Sequence, residues 1–373
     1  MMTDVYWITC RSMADMCSTS HRALLEGLNR KGINITLLNA DDGSRHADEP
    51  WDHCAIPSSN VPGMVARTMA RHAKRWISQQ SFSERAVVVV DWRMASALAP
   101  ALNRQGVPWA VLDRSPPAHQ GWLSKLQWPV WSKAWRLLIQ HHGAIGFVVS
   151  PRHRDLVCRR VGVLPSQITV LPTGTDVDLF VPGVRKERTT LVYHGRLDKN
   201  RGVLALPMLV SKARQANVDV DLCLIGDGDA VKGLDRIAQS MQGVELIQKC
   251  PPSALAQLIG TCHIGLLPMP FTEVWSVASP LKQSEYAAAG LPMLAIDHAG
   301  HQLRGHREAS WLKLVAQEDF FEEGIAWLKS MIDGDYEQAS RDVRTFAMNE
   351  LRWDTTVDAL HDALNTMLVN HRV

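Results

Sequence analysis

Two stretches of this sequence set charged side chains where they could hold an anionic, hydroxyl-bearing ligand. In Ala278–Asp297 (A-S-P-L-K-Q-S-E-Y-A-A-A-G-L-P-M-L-A-I-D), Ser279 is a good helix N-cap and Pro280 suits the first helical position. The helix start then offers the backbone N–H groups of Leu281 and Lys282 with the positive end of the dipole behind them, and Lys282 adds a full charge. Glu285 falls on the same face one turn deeper, where a carboxylate can accept hydrogen bonds from ribose hydroxyls. The same residues also read as a capped surface helix with an incidental Lys–Glu pair. In Leu191–Val203 (L-V-Y-H-G-R-L-D-K-N-R-G-V), Gly195 permits close backbone approach, Arg196 projects from a strand end and Arg201 precedes Gly202. Two guanidiniums flanking such a turn form a natural diphosphate clamp; the alternative is a solvated loop. Leu222–Asp229 ends an apolar run in Gly226-Asp227-Gly228, which alone marks only a strand stop.

These residues need strand ends and helix starts to hold them, and the pattern supplies both. Strands are expected at Val5–Thr9, Ile33–Leu38, Ala86–Val90, Trp109–Leu112, Ile145–Val149 and Ile168–Leu171, then at Thr190–Tyr193, Val220–Ile225, Val244–Ile247, Ile264–Leu267 and Met293–Ile296. Most are continuous apolar runs, as in parallel strands covered on both faces. Helical patterns such as Ser20–Arg30, Ala95–Asn103 and Gly202–Gln215 lie between them. The alternation predicts an α/β fold of two Rossmann-like domains, residues 1–180 and 181–345, facing a central cleft at the strands' carboxyl ends, with 346–373 a C-terminal helix packing back toward the first domain.

Composition excludes several classes. With 46% apolar and 21% charged residues, the chain is neither disordered nor collagenous. No apolar run reaches the ~20 residues of a membrane span, and no export signal is read at the N-terminus. Seven scattered cysteines read as free thiols in a reducing cytoplasm, and none has CxxC metal spacing. His298, His301 and His306 are read as loop histidines rather than metal ligands. No Gly-rich dinucleotide fingerprint follows the first strand, which disfavours an NAD(P) oxidoreductase.

Taken together, four segments resemble the retaining glycosyltransferases of family 4, which have the GT-B fold. The family's P-N-G-x-D-x-x-x-F appears as P-T-G-T-D-V-D-L-F at 172–180. Its G-R-L-x-x-x-K-G appears at 195–202 with Arg201 for the lysine, its I-x-G-x-G turn is matched loosely by Ile225–Gly228, and its P-x-K-x-x-E-Y-x-A-x-G-x-P appears at Pro280–Pro292. The resemblance covers about 145–300 and extends loosely to Arg352–Asp354. It implies that Arg196 and Arg201 hold a donor diphosphate cradled by Leu281 and Lys282, and that Glu285 binds the ribose. Gly195, Gly226 and Gly228 would line the nucleotide site, with the loop around Lys249–Pro251 near the base. It implies a metal-independent transfer with no cofactor beyond the nucleotide diphosphate sugar, to a saccharide or lipid-linked acceptor, with no nucleic-acid partner. Asp113, after the strand ending at Leu112, stands where the family's acceptor and donor sugar should meet; an aspartate before a proline turn is the alternative. Many members carry a second glutamate eight residues before the ribose-binding one. Here Val277 holds that place, which motivates a catalytically silent nucleotide- or glycan-binding subunit as the alternative function.

The first half has its own signature. Residues 1–180 carry 20 Lys and Arg against 14 Asp and Glu, whereas 181–373 carry 20 against 24; nine of the 13 tryptophans precede residue 136. Arg67, Arg71, Lys74 and Arg75 form a basic helical stripe, and Trp128, Trp131 and Trp135 share one face of another helix. Basic, tryptophan-bearing helices suit peripheral contact with an anionic membrane; core tryptophans under a solvated cationic face are the alternative.

Overall fold

The computed structural model describes residues 3–13, 18–40, 49–59, 61, 63–117, 122–141, 143–334 and 336–371. Thirteen strands run β1 Asp4–Ile8, β2 Asn34–Asn39, β3 Asp52–Ala55, β4 Ala86–Asp91, β5 Trp109–Leu112, β6 Gly146–Val148, β7 Ile168–Val170, β8 Thr190–Arg196, β9 Asp221–Asp227, β10 Val244–Gln248, β11 Ile264–Leu267, β12 Met293–Ile296 and β13 Leu312–Val315. The helices are α1 Thr19–Arg30, α2 Val65–Gln79, α3 Trp92–Gln105, α4 Trp122–Ile139, α5 Pro151–Val161, α6 Ala205–Gln215, α7 Val231–Ser240, α8 Pro252–Gly260, α9 Glu273–Ser276, α10 Leu281–Ala288, α11 Glu322–Asp333, α12 Tyr336–Glu350 and α13 Trp353–His371. No helix among the described residues is long and apolar enough to cross a membrane.

The elements form two compact units, Met1–Pro172 with Trp353–Val373, and Thr173–Arg352. The first holds a seven-stranded sheet in the order β3-β2-β1-β4-β5-β6-β7, the second a six-stranded sheet in the order β10-β9-β8-β11-β12-β13. All named pairings are parallel. Each sheet therefore reverses its strand order once, at β1/β4 and at β8/β11, and such switch points open a crevice at the strands' carboxyl ends. In β4 the run Ala86-Val-Val-Val-Val90 is fully buried, because helices of the doubly wound unit cover both faces and β-branched residues fill that setting well. Asp91 then caps α3 by accepting from the Arg93 N–H at 2.9 Å, so the helix starts at Trp92 rather than at the expected Ala95.

Two edge strands were not expected. β3 reads Asp-His-Cys-Ala with both end residues exposed, and β13 reads Leu-Lys-Leu-Val with a half-buried middle; neither is the continuous apolar run of an inner strand. The boundary between units also differs from the expected residue 180. Val177 and Phe180 pack into the second core, and Arg344 of α12 donates to the carbonyls of Val177, Phe180 and Ala288 at 2.9, 2.9 and 2.6 Å. Segment 173–180 and α12 thus belong to the second unit. α13 belongs to the first: Val357 lies over Gly27 of α1, where a Cβ would come within 2.3 Å of its methyl, and Lys31 pairs with Asp358 at 2.5 Å.

Candidate functional site

In the second unit the charged residues meet at the carboxyl ends of β8 and β9 and at the start of α10. The two strands pair as far as Gly195↔Gly226 and Arg196↔Asp227. Gly226 has φ +144°, and a Cβ there would lie 1.8 Å from the Gly195 carbonyl oxygen. Gly195, at φ +101°, faces Lys282, whose Nζ would be 3.9 Å from an added Cβ. A side chain at 195 would therefore fill the space over the lysine. At Gly228 a Cβ would strike Leu197 and the Asp198 carboxylate, so this glycine lets the second turn close on the first.

Helix α10 starts differently from its expected cap. Pro280 occupies the N-cap, and no side chain caps the helix among the described residues. Ser279 instead shares hydrogen bonds with Thr173, whose backbone N–H it accepts at 3.1 Å and whose hydroxyl lies 2.8 Å away. The helix start, with the positive end of the dipole behind it, forms an anion site. Lys282 is 7% exposed. Its Nζ sits 3.4 Å from the Tyr193 hydroxyl and 4.7 Å from that ring's centroid. Burial pushes the Tyr193 phenol up to about 12, so it stays a neutral donor and gives its hydrogen to the Arg196 carbonyl at 3.1 Å.

Glu285 is 5% exposed. Its Oε2 lies 3.1 Å from His194 Nε2, an ion-pair distance, but the two are not aligned as a hydrogen bond and both atoms are buried without a hydrogen-bond partner. Tyr286 fixes the histidine by accepting the His194 backbone N–H at 3.2 Å and meeting its ring edge-on. Leaving such a group unmade costs about 1–3 kcal/mol, more for a charge. A ligand hydroxyl would remove that cost.

Arg196 and Arg201 are also brought together. Arg196 forks onto Asp198, Nη2 to Oδ1 at 2.9 Å and Nε to Oδ2 at 3.2 Å. Arg201 places Nε 3.7 Å from the same Oδ2 and stacks 4.7 Å over Trp275. Burial raises the Asp198 pKa, but hydrogen bonds from Arg196 and the Asp229 N–H and the charges of both arginines outweigh it, and the group ends below the ordinary carboxylate range. Sequence reasoning missed Tyr193, Tyr286, His194 and Asp198 as parts of this site. Their one signal was proximity to Gly195 or Glu285 in the chain.

The three histidines do not converge. His298 and His301 stack with centroids 3.8 Å apart, each held by a backbone carbonyl, those of Met269 and Ile296. Burial lowers the pKa of both. His306 packs instead on Phe346 and Trp311. Among the described residues no group of His, Cys, Asp and Glu could hold a metal ion.

In the first unit the structure corrects the reading of Asp113. Its side chain is fully buried and Oδ2 takes three partners: Trp131 Nε1 at 2.5 Å, Trp135 Nε1 at 3.2 Å and His153 Nε2 at 3.1 Å. Burial opposes ionisation, but His153 and the two indole donors outweigh it and hold the carboxyl below its ordinary value. Asp113 therefore ties α4 and α5 to the end of β5 and offers no face to an acceptor. The same bonds make Trp131 and Trp135 core residues, which removes them as membrane-inserting rings. At this sheet's switch point stands another polar pair, buried Asp91 and half-buried Arg93. Asp91 pairs with Arg93 at 3.3 Å and lies 3.8 Å from the Cys10 sulfur, whose thiol burial pushes up to about 12.

Comparison with known proteins gives a family match within the second unit. Residues 188–330 match the family described as glycosyl transferases group 1. No curated protein matches the chain in sequence. Among solved structures, a glycosyltransferase from Rickettsia africae aligns over 99% of both chains at 12% identity and a TM-score of 0.76. A sucrose-phosphate synthase from Thermosynechococcus elongatus aligns over 98% of this chain and 99% of its own at 14% identity and 0.79. Anabaena Alr3699/HepE, in complex with UDP, aligns over 98% and 100% at 12% identity and 0.73. The expected GT-B fold is thus borne out over the whole chain.

Proposed function

We propose that this chain is a retaining glycosyltransferase that takes a sugar from a nucleoside diphosphate donor without a resident metal and passes it to a glycan or lipid-linked acceptor. The observation that carries the reading is Glu285: a buried carboxylate with no hydrogen-bond donor among the described residues, one turn along α10 from an uncapped helix start and Lys282. A nucleoside diphosphate meets both needs, its ribose hydroxyls donating to Glu285 and its phosphates taking the helix N–H groups and Lys282. Arg196 and Arg201 add two cations at the adjoining strand end. Charge that develops on the departing diphosphate is stabilised by groups already in place, which is the work a divalent metal performs in other transferases. The leaving phosphate oxygen would accept the acceptor's proton on the same face, so configuration is retained. The UDP complex of the Anabaena protein makes UDP the first nucleotide to try.

Acceptor binding falls to the first unit, near half-buried Arg93 at the start of α3. Its face formed by α2, α3, α4 and α5 supports a lipid-linked acceptor met at a cytoplasmic membrane surface. Residues 61–167 hold 15 Lys and Arg against four Asp and Glu. Arg67, Arg71, Lys74 and Arg75 are exposed with no described acidic partner. On α4, Leu126 and Val130 are 60% and 39% exposed beside exposed Lys125 and Lys133. Cations with exposed apolar side chains between them suit an anionic headgroup layer.

The test is calorimetric titration of UDP into wild type, Glu285→Gln and Lys282→Ala, followed by donor turnover. Loss of a charge-assisted bond, about 1.5–3 kcal/mol, should weaken UDP by roughly 10- to 100-fold in each variant. Wild-type affinity in both would refute the assignment. Tight UDP binding without hydrolysis or transfer of any UDP-sugar would favour the silent subunit, for which buried Val277 is the motive.

A further inference from the structure

The two arginines at the strand end are already occupied by an anion of the protein's own. Arg196 meets Asp198 through two parallel N–H···O contacts, 3.2 and 2.9 Å, the fork geometry that guanidinium also makes with a phosphate. Arg201 turns its Nε toward the same carboxylate at 3.7 Å without a hydrogen bond, and Trp275 holds its guanidinium by stacking. Asp198 is fixed in place from the neighbouring turn. The Asp229 N–H reaches Oδ1 at 3.3 Å, and the Asp229 carboxylate accepts the Lys199 N–H at 2.8 Å. Yet the Asp198 side chain remains one-fifth exposed and that of Arg196 41% exposed, so solvent and a ligand can reach the fork.

We propose that Asp198 is a resident counter-anion of the diphosphate site: it holds Arg196 in the free protein, yields it to the diphosphate on binding, and reclaims it when the nucleoside diphosphate product leaves. The inference rests on the donor-site reading above. A diphosphate carries more negative charge than one carboxylate and so wins the exchange. It wins by less than it would against an unpaired arginine, and this moderates product retention. Asp198 is thus a positioning residue acting through Arg196. In its absence the nucleotide should bind more tightly, release should slow, and both KM and kcat should fall together where release limits turnover.

The experiment titrates UDP and inorganic pyrophosphate into wild type, Asp198→Asn, Asp198→Glu, Arg196→Gln and the Asp198→Asn/Arg196→Gln double variant, with thermal unfolding to show that each is folded. Asp198→Asn keeps the size of the side chain and removes its charge. It should tighten both ligands by about tenfold, the scale of one charge-assisted contact. Asp198→Glu should stay near wild type, Arg196→Gln should weaken binding, and the double variant should lose the gain. Binding that is weaker or unchanged in Asp198→Asn, in a wild type that does bind UDP, would overturn the exchange and leave the donor site standing. Wild type that binds neither UDP nor pyrophosphate would overturn both.

Discussion

Asp113→Asn separates an anchor from a catalyst. In the structure the carboxylate is fully buried and one oxygen accepts from Trp131, Trp135 and His153 at 2.5–3.2 Å. Asparagine keeps the shape and one accepting oxygen but removes the charge. Each charge-assisted bond, about 1.5–3 kcal/mol, becomes a neutral one of about 0.5–1.5 kcal/mol. Three bonds losing roughly 1 kcal/mol each give about 3 kcal/mol, the lower edge of what breaking a buried ion pair costs. That is a large fraction of a domain's stability. The assay is urea unfolding followed by near-UV circular dichroism, to which the packed Trp131 and Trp135 contribute, with UDP affinity measured in parallel. The midpoint should fall, and UDP affinity should not, because the donor residues lie in the other unit. The acid limb gives a second check. The folded pKa is depressed, so the carboxylate's contribution is complete above its unfolded value of about 3.9 and is lost as pH falls through the lower folded value. Wild type should lose this term only in strong acid, and the variant should lack it. A variant with wild-type stability but no turnover would refute the anchor and restore Asp113 to the reaction.

Other perturbations follow from the same structure. Gly226→Ala should destabilise the second unit by about 3 kcal/mol or more and weaken UDP, since its Cβ would sit 1.8 Å from a carbonyl at φ +144°; Gly233→Ala, in exposed helix α7 with nothing within 4 Å, should stabilise by about 0.5–1 kcal/mol in the same denaturation assay. His21 is buried, accepts from Trp7 Nε1 at 3.0 Å, and burial lowers its pKa to about 3. The unfolded chain therefore binds its proton first, and stability is full above pH ~6.5 and falls toward acid, by about 2 kcal/mol at pH ~5. His21→Asn should flatten that slope in urea titrations at the two pH values. Changing Arg67, Arg71, Lys74 and Arg75 together to Ser should abolish low-salt co-sedimentation with anionic vesicles, each cation contributing about 1 kcal/mol within a Debye length of ~8 Å; equal pelleting of variant and wild type would clear the stripe of that role.

Legibility in the sequence tracked how local each signal was. The inner strands were readable because burial on both faces forces a continuous apolar run, as in Ala86–Val90. The edge strands β3 and β13 were not, because an edge tolerates Asp52 and His53, and their pairing depends on a neighbour already in place. At the site, Lys282 and Glu285 were readable because one helix turn joins them. Tyr193 and Tyr286 were not, being 93 residues apart in the chain and joined only when β8 and β11 pair beside α10. The tryptophan excess and Asp113 were each visible, but the bonds between them span 18 and 22 residues. Only the packing of α4 beneath β5 turns a membrane-like helix into a core one.

Asp113 and Glu285 show why counting partners separates structure from function where residue type does not. Both are buried carboxylates, Asp113 just past the end of β5 and Glu285 one turn into α10. Folding had to take each from water, an expense recovered only through donors. Asp113 recovers most of it from three N–H groups of its own unit, all on Oδ2; Oδ1 is buried without a hydrogen-bond partner, but the side chain is sealed from any ligand. Glu285 recovers none from a described donor, with only the misaligned His194 nitrogen at 3.1 Å. A fold can hold such a group only because Tyr286, the pinned His194 and the close glycine turns make the surroundings rigid. The stability given up there is regained when a hydroxyl-bearing anion enters. The same logic assigns the arginines: Arg344, spent on three backbone carbonyls, is architecture. Arg196, forked onto an exchangeable and partly exposed carboxylate, is the one held ready for a ligand.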